Sequence, residues 1–237
     1  MSSFIESAAA LMSNAARQLD VVAHNVANVT TPGYKRRIAF HSVLSNTGTL
    51  SQEAPEVAEV RSMVQGKIVK TDNPLDLAID GEGFLQVRCG DDLLYTRQGQ
   101  FAQTVEGLLV TPQGYILQQA GGGDLRAEDG ATFAPDGTLM VDGRTLGRAA
   151  LVRPSDPAML EDAGESFFRI AGGATWDEVT DATVRGGMVE ASNIDLGQEM
   201  TQTMLILRQA ENGARLVQLY DDLMGRAVTA FGQGGGR

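Results

Sequence analysis

Apolar residues recur at alternating steps of three and four along the first thirty positions: Ile5, Ala8, Met12, Ala15, Leu19, Val22, Val26 and Val29. The mean step is that of a coiled-coil seam, so the pattern predicts one long helix carrying one apolar stripe. Ser3 with Glu6 three residues on marks its start as a capping box. Pro32 drives Thr31 towards an extended conformation and Gly33 accepts a sharp turn, which predicts a stop near Val29. The same alternation returns at Leu196, Met200, Leu207, Ala210, Ala214, Val217, Met224, Val228 and Phe231. Ser192 and Asp195 supply the matching start signal, and a Gly-rich tail ends a helix of roughly 35 residues, about 50 Å long. This helix also carries a second apolar row at Leu205, Leu216, Leu219 and Leu223.

Between the helices the period changes to two. Leu75, Leu77 and Ile79, then Leu85, Val87 and Cys89, then Leu108 and Val110 read as half-buried strands. Turn pairs punctuate them at Asp80-Gly81, Gly90-Asp91, Glu106-Gly107, Gln113-Gly114, Asp136-Gly137 and Asp142-Gly143. The expected fold class is α+β: long N- and C-terminal helices paired in a coiled-coil bundle, with an antiparallel β-rich middle domain. The expected divisions are a helix over 1–30, an extended arm or hairpin over 31–74, a β-rich domain over 75–190 and a helix with tail over 191–237.

Helices of this length are marginal alone in water, because most helical stability comes from burying an apolar face. Two arrangements satisfy them. Both can fold onto the β domain within one molecule. Alternatively they pair and offer the surplus rows to other copies in a heterologous contact that does not close and therefore propagates. In the second case the ends of a free subunit order on assembly, and protease leaves roughly residues 70–190.

Bulk properties remove several function classes. A net charge of -11 offers no basic surface for nucleic acid. One cysteine and two histidines make a poor metal-ligand set. No apolar run reaches 18 residues, and the N-terminus lacks a secretory signal pattern. The expectation is a protein not inserted in membranes, exported if at all without a cleavable signal. Gly81-Glu-Gly-Phe-Leu-Gln lacks the third glycine of a dinucleotide fingerprint. Asp72, Asp76 and Asp80 lack the spacing of a calcium loop, and His24 and His41 have no catalytic partner at a motif spacing. Lys35-Arg-Arg, the basic run, reads as a solvated face or as a contact for acidic groups of a neighbour. No catalytic residue, cofactor site or metal site is expected.

The phrase running from Asn25 through Val26, Asn28, Pro32, Gly33, Tyr34 and Lys35 to Arg36 resembles the signature of flagellar axial proteins of the rod and hook. Asn73-Pro-Leu-Asp-Leu-Ala-Ile-Asp-Gly-Glu-Gly-Phe-Leu-Gln-Val resembles the β-domain entry of that family. Tyr95-Thr-Arg, Gly99-Gln-Phe and Gly107-Leu-Leu-Val-Thr-Pro-Gln-Gly continue it, and Gly187-Met-Val-Glu-Ala-Ser-Asn-Ile-Asp resembles the return into its last helix. The length and the passage Asp136-Gly-Thr-Leu-Met-Val-Asp-Gly with Leu146-Gly-Arg look more like the proximal-rod branch than the distal. One departure is Leu207-Arg-Gln-Ala-Glu-Asn-Gly-Ala-Arg, where Gly213 lowers helix propensity by up to about 1 kcal/mol.

The resemblance implies a structural, non-enzymatic subunit of the basal-body rod, in the periplasm. Its implied partners are copies of itself, other rod proteins and the flagellar type III export apparatus. The expected assembly residues are Ile5, Met12, Leu19, Val22, Asn25, Val26, Asn28 and Val29, with Met200, Met204, Leu207, Val217, Leu223, Met224 and Val228. The alternatives are a distal rod subunit, or a β-rich glycan-binding or hydrolytic domain with helical dimerisation ends. A hydrolase needs paired carboxylates in a cleft, whereas acidic residues such as Asp91, Asp92 and Asp136 fall in expected turns.

Overall fold

Period-3.5 ends and period-2 runs separate into two units in the computed structural model, which describes residues 2–42, 56–155, 159–170, 176–179 and 183–234. The first unit joins residues 1–27, 37–62 and 194–237. It contains helix α1 (Ser2–Ala27), an antiparallel hairpin of β1 (Arg37–Ser42) and β2 (Glu56–Arg61), and helix α2 (Leu196–Gly234). α1 stops at Ala27, two residues short of Val29, and Thr31 N–H donates to the Asn28 carbonyl in the turn that follows. The start of α2 differs from the expected capping box. Asp195 is itself the N-cap, its Oδ1 accepting from Gly197 N–H at 2.8 Å and Gln198 N–H at 3.2 Å. Ser192 lies outside the helix. The tail beyond Gly234 and the side chains of Ser3, Ile5, Glu6, His41, Val228 and Phe231 fall outside the described residues.

The second unit, residues 28–36 and 63–193, is antiparallel β structure. Its largest sheet is built on the hairpin of β5 (Phe84–Cys89) and β6 (Asp92–Thr96), closed by the two-residue loop Gly90-Asp91. Pairs of β3 (Ile68–Lys70) with β18 (Met188–Glu190) and β4 (Leu77–Asp80) with β17 (Thr183–Gly186) tie the start of the unit to its end. In β5 the alternation decides the faces. Leu85 and Val87 enter the main core beside Leu77, Ile79, Leu117 and Phe167, while Phe84 points the other way into a cluster with Tyr95, Val152 and Phe168.

All six expected turn pairs hold a glycine at positive φ, and Asp142 joins Gly143 there, as a two-residue hairpin turn requires. One run departs from its expected register. The fully buried residue is Leu109, with Leu108 and Val110 half-buried. The strand β8 (Leu109–Val110) is two residues long, and Leu108 bridges Arg126 instead of continuing it. So short a run has no period for alternation to act on.

Candidate assembly interface

The helices meet through small residues. Ala15 and Val22 of α1 bury against Ile206 of α2, with Leu19 and Ala210 packed beside them. Gly213 extends the contact: a Cβ there would lie 3.1 Å from Met12 Cγ and 3.9 Å from Leu11 Cβ. The glycine that costs α2 helix propensity therefore lets the two helices approach. Ile206, only 2% exposed, is absent from the seam read in the sequence, whereas Leu207 and Met200 of that seam face outward. The i, i+4, i+7 row Ile206, Ala210, Gly213, one large residue followed by small ones, was the available signal.

Stepping about 100° per residue around α2, the row Leu196, Met200, Met204, Leu207 occupies a second side. Leu205, Leu216, Leu219 and Leu223 occupy a third. Met204 is 60% exposed and Leu223 58%. α2 thus spends one face on α1 and presents two apolar rows to solvent. On α1, Met12 and Val26 are exposed, Val22 is buried and Leu19 is half-buried; Val29, in the turn after the helix, is half-buried. Val217 is half-buried and Met224 38% exposed on α2.

Asn25 is not available to a neighbour. Its amide Nδ2 donates to the Arg37 carbonyl at 2.9 Å and to Glu199 Oε2 at 3.2 Å, and its Oδ1 accepts from Arg37 N–H at 2.9 Å. It pairs with both backbone groups of Arg37 as an adjacent strand would, joining α1, β1 and α2 at a site where Asn25 and Glu199 are fully buried. Asn28 serves its own turn, accepting from the Thr31 hydroxyl.

Lys35 overturns the reading of its run as a solvated face. It is 1% exposed, and its Nζ donates to Glu190 Oε1 at 2.6 Å and to the Val64 carbonyl at 3.0 Å. Arg97 reaches the other carboxylate oxygen at 3.2 Å and the Gly81 carbonyl at 2.8 Å, and Gly66 N–H donates to Glu190 Oε1. Burial pulls the Lys35 ammonium below its ordinary value, against the opposing pull of Glu190; Arg97 is lowered for the same first cause. Gly33 (φ +69°) packs directly on the Arg97–Gln98 backbone, where a Cβ would overlap it. Segments far apart in sequence, 33–35, 81–97 and 187–190, converge on this one carboxylate.

The groups weighed for chemistry have structural uses. Asp76 accepts from Asn73 Nδ2 at 2.8 Å, and Asp80 pairs with Arg185 at 2.6 Å. Gly81-Glu-Gly leads into strand β5, so no helix terminus faces a phosphate there. No group of three or more metal-ligating residues occurs among the described residues, and no described helix is long and apolar enough to cross a membrane.

Comparison with known proteins follows the same three stretches. Residues 5–35 match the family "Flagella basal body rod protein", 78–144 the "Flagellar hook protein FlgE/F/G D1 domain", and 185–230 the "Flagellar basal body rod FlgEFG protein C-terminal". A flagellar basal-body rod protein FlgF from Caulobacter vibrioides is 32% identical over 227 residues, covering 92% of this chain and 93% of the relative. FlgF of Mesorhizobium japonicum is 30% identical, covering 91% and 92%, and the rod protein FlgG of Bacillus subtilis is 27% identical, covering 92% and 94%.

Proposed function

Because this chain belongs to the flagellar basal-body rod protein family, and is a structural rod subunit and not an enzyme, we propose that it builds the proximal rod by polymerising through α1 and α2. In this reading the two helices form a coiled-coil bundle whose outer rows, Met200, Met204, Leu207 and Leu223 with Met12, Val26 and Met224, are covered by neighbouring rod subunits. Leu19, Val22, Asn25, Asn28, Val29 and Val217 hold the helices and their following turn in register.

The observation that carries the proposal is the surplus of apolar faces on α2. One face suffices to bind α1, yet three sides are apolar. Each fully buried Leu or Met contributes about 1.5–3 kcal/mol. These side chains are already about half covered, so sealing a row of four supplies about 3–6 kcal/mol and both rows about 6–12 kcal/mol, the scale of the roughly 4–15 kcal/mol that association costs in lost freedom. Export through the flagellar type III apparatus and a periplasmic position belong to the same proposal. The FlgF of Caulobacter vibrioides at 32% identity against the FlgG of the same organism at 29% supports the proximal over the distal assignment, although FlgF relatives as a group span 27–32% and FlgG relatives 27–29%.

The test is complementation. This chain should restore rods and swimming to a strain lacking its proximal rod subunit and not to one lacking the distal subunit. The double variant Met204→Asp, Leu223→Asp should be exported and keep its helical circular dichroism, yet leave basal bodies without the subunit. Normal rods from that variant would remove the outer rows from the assembly.

A further inference from the structure

On the Phe84 side of its main sheet the β unit carries an open cleft of about 460 Å³, within the range of small-ligand sites. Strand pairing builds it. β13 (Leu151–Pro154) lies between β5 and β16 (Trp176–Glu178), and Gln86 of β5 pairs with Tyr95 of β6. Side chains two apart on a strand share a face, so Trp176 and Glu178 come to line the cleft together with Gln86, Tyr95 and, from beyond the strands, Gln119. Trp176 stacks on Tyr95 with ring centroids 3.6 Å apart and stands edge-on to Phe84 at 6.1 Å, a fixed aromatic platform of which Trp176 is only half-buried. The polar capacity around it is unspent. Among the described residues the Tyr95 hydroxyl makes no hydrogen bond, although Tyr95 is 7% exposed and a buried phenol ordinarily finds a partner. The side-chain amides of Gln86 and Gln119 make none either, and Glu178 uses only Oε1, which accepts from Arg148 at 2.7 Å.

We propose that this cleft binds a neutral saccharide, seating a pyranose ring of a glycan chain on Trp176. A pyranose offers an apolar C–H face to the indole and, around its edge, hydroxyls that both donate and accept. Those hydroxyls answer the Tyr95 phenol, the two amides and the Glu178 carboxylate. An anion meets Glu178 and a chain of net charge -11. A proline-rich peptide stacks on the rings, but its backbone has carbonyls and few donors, which leaves Glu178 and the amide oxygens unanswered. Glu178 is the single carboxylate among the described lining residues, so the cleft holds a glycan without the acid pair that cleaves one. This site lies within the β unit and is argued independently of the helical rows, so it stands or falls apart from the rod assembly reading.

The test uses the full chain, whose single tryptophan is Trp176, so intrinsic fluorescence reports on this cleft alone. Titration with tri-N-acetylchitotriose or cellotriose should change the emission saturably with at least one of the two, and triproline should not. Tyr95→Phe removes the unpaired hydroxyl and keeps the stacked ring; it should weaken binding at least fivefold at an unchanged melting temperature. Gln119→Leu should weaken binding by a similar factor. No saturable response to either trisaccharide at millimolar concentration, an equal response to triproline, or unaltered affinity in both variants would each overturn the proposal.

Discussion

At the residue scale, the carboxylate of Glu190 decides more than any other single group. It accepts from Lys35, Arg97 and Gly66, and its own backbone carbonyl accepts from Gly33 N–H at 2.7 Å. Removing one partner of a buried charged network typically costs about 3–5 kcal/mol because the remaining charges are stranded. Glu190→Gln should therefore lower the urea midpoint of the β unit by that order, and more than Lys35→Met, which leaves the Glu190–Arg97 pair intact. The two substitutions also differ in pH. Lys35 is lowered below 10.5 in the folded protein, so between its folded value and 10.5 the unfolded chain binds more protons. Stability then gains from rising pH across that interval. Burial raises Tyr95, which acts in the opposite sense above pH 10 and cancels on subtraction. The stability of the wild type minus that of Lys35→Met should climb as pH rises towards 10.5; a flat difference would mean that Lys35 is not buried as a cation.

Adjacent positions on one element test which face does what. Ile206 and Leu205 are neighbours on α2, the first buried against Ala15 and Val22, the second 58% exposed. Ile206→Ala should cost the helical unit about 2–5 kcal/mol, read as a lower melting temperature of the helical signal. Leu205→Ala should stay within about 0.5 kcal/mol. Equal effects would show that α2 does not rest on α1 through Ile206. The same contrast explains what could be read in advance. Ala8, Ala15 and Val22 fall where the α1 stripe places them because a helix repeats long enough for its period to average out local exceptions. On α2, three apolar sides give the period no unique phase, so a seam through Met200 and Leu207 fits the sequence as well as the true contact at Ile206. The β unit follows its turns closely, since a positive-φ glycine is a local demand. The Lys35–Glu190 pair spans 155 positions, and no local pattern announces it. The family phrases mark its members without saying that they touch.

For the whole molecule, the two units differ in how much core each owns. The β unit buries Leu77, Leu85, Val87, Leu109, Leu117, Leu125 and Leu139 completely and adds the Phe84–Phe168 cluster. The helical unit has Ala15, Val22 and Ile206 at its centre and leaves its largest side chains outside. Local stability tracks buried apolar contact, so in the free subunit the helices should open first. Their amides should exchange orders of magnitude faster than those of β4, β5 and β6. Limited proteolysis at low protein concentration should trim both ends to a fragment of roughly residues 70–190, which lies within the β unit. With trypsin the N-terminal boundary should fall at Lys67 or Lys70, both exposed, and the buried Lys35 should be cut late. At high concentration or in assembled rods, covering the outer rows of α2 should slow exchange in α1 and α2 together. Helical amides as protected in the dilute monomer as in the rod would instead mean that one chain satisfies its own helices.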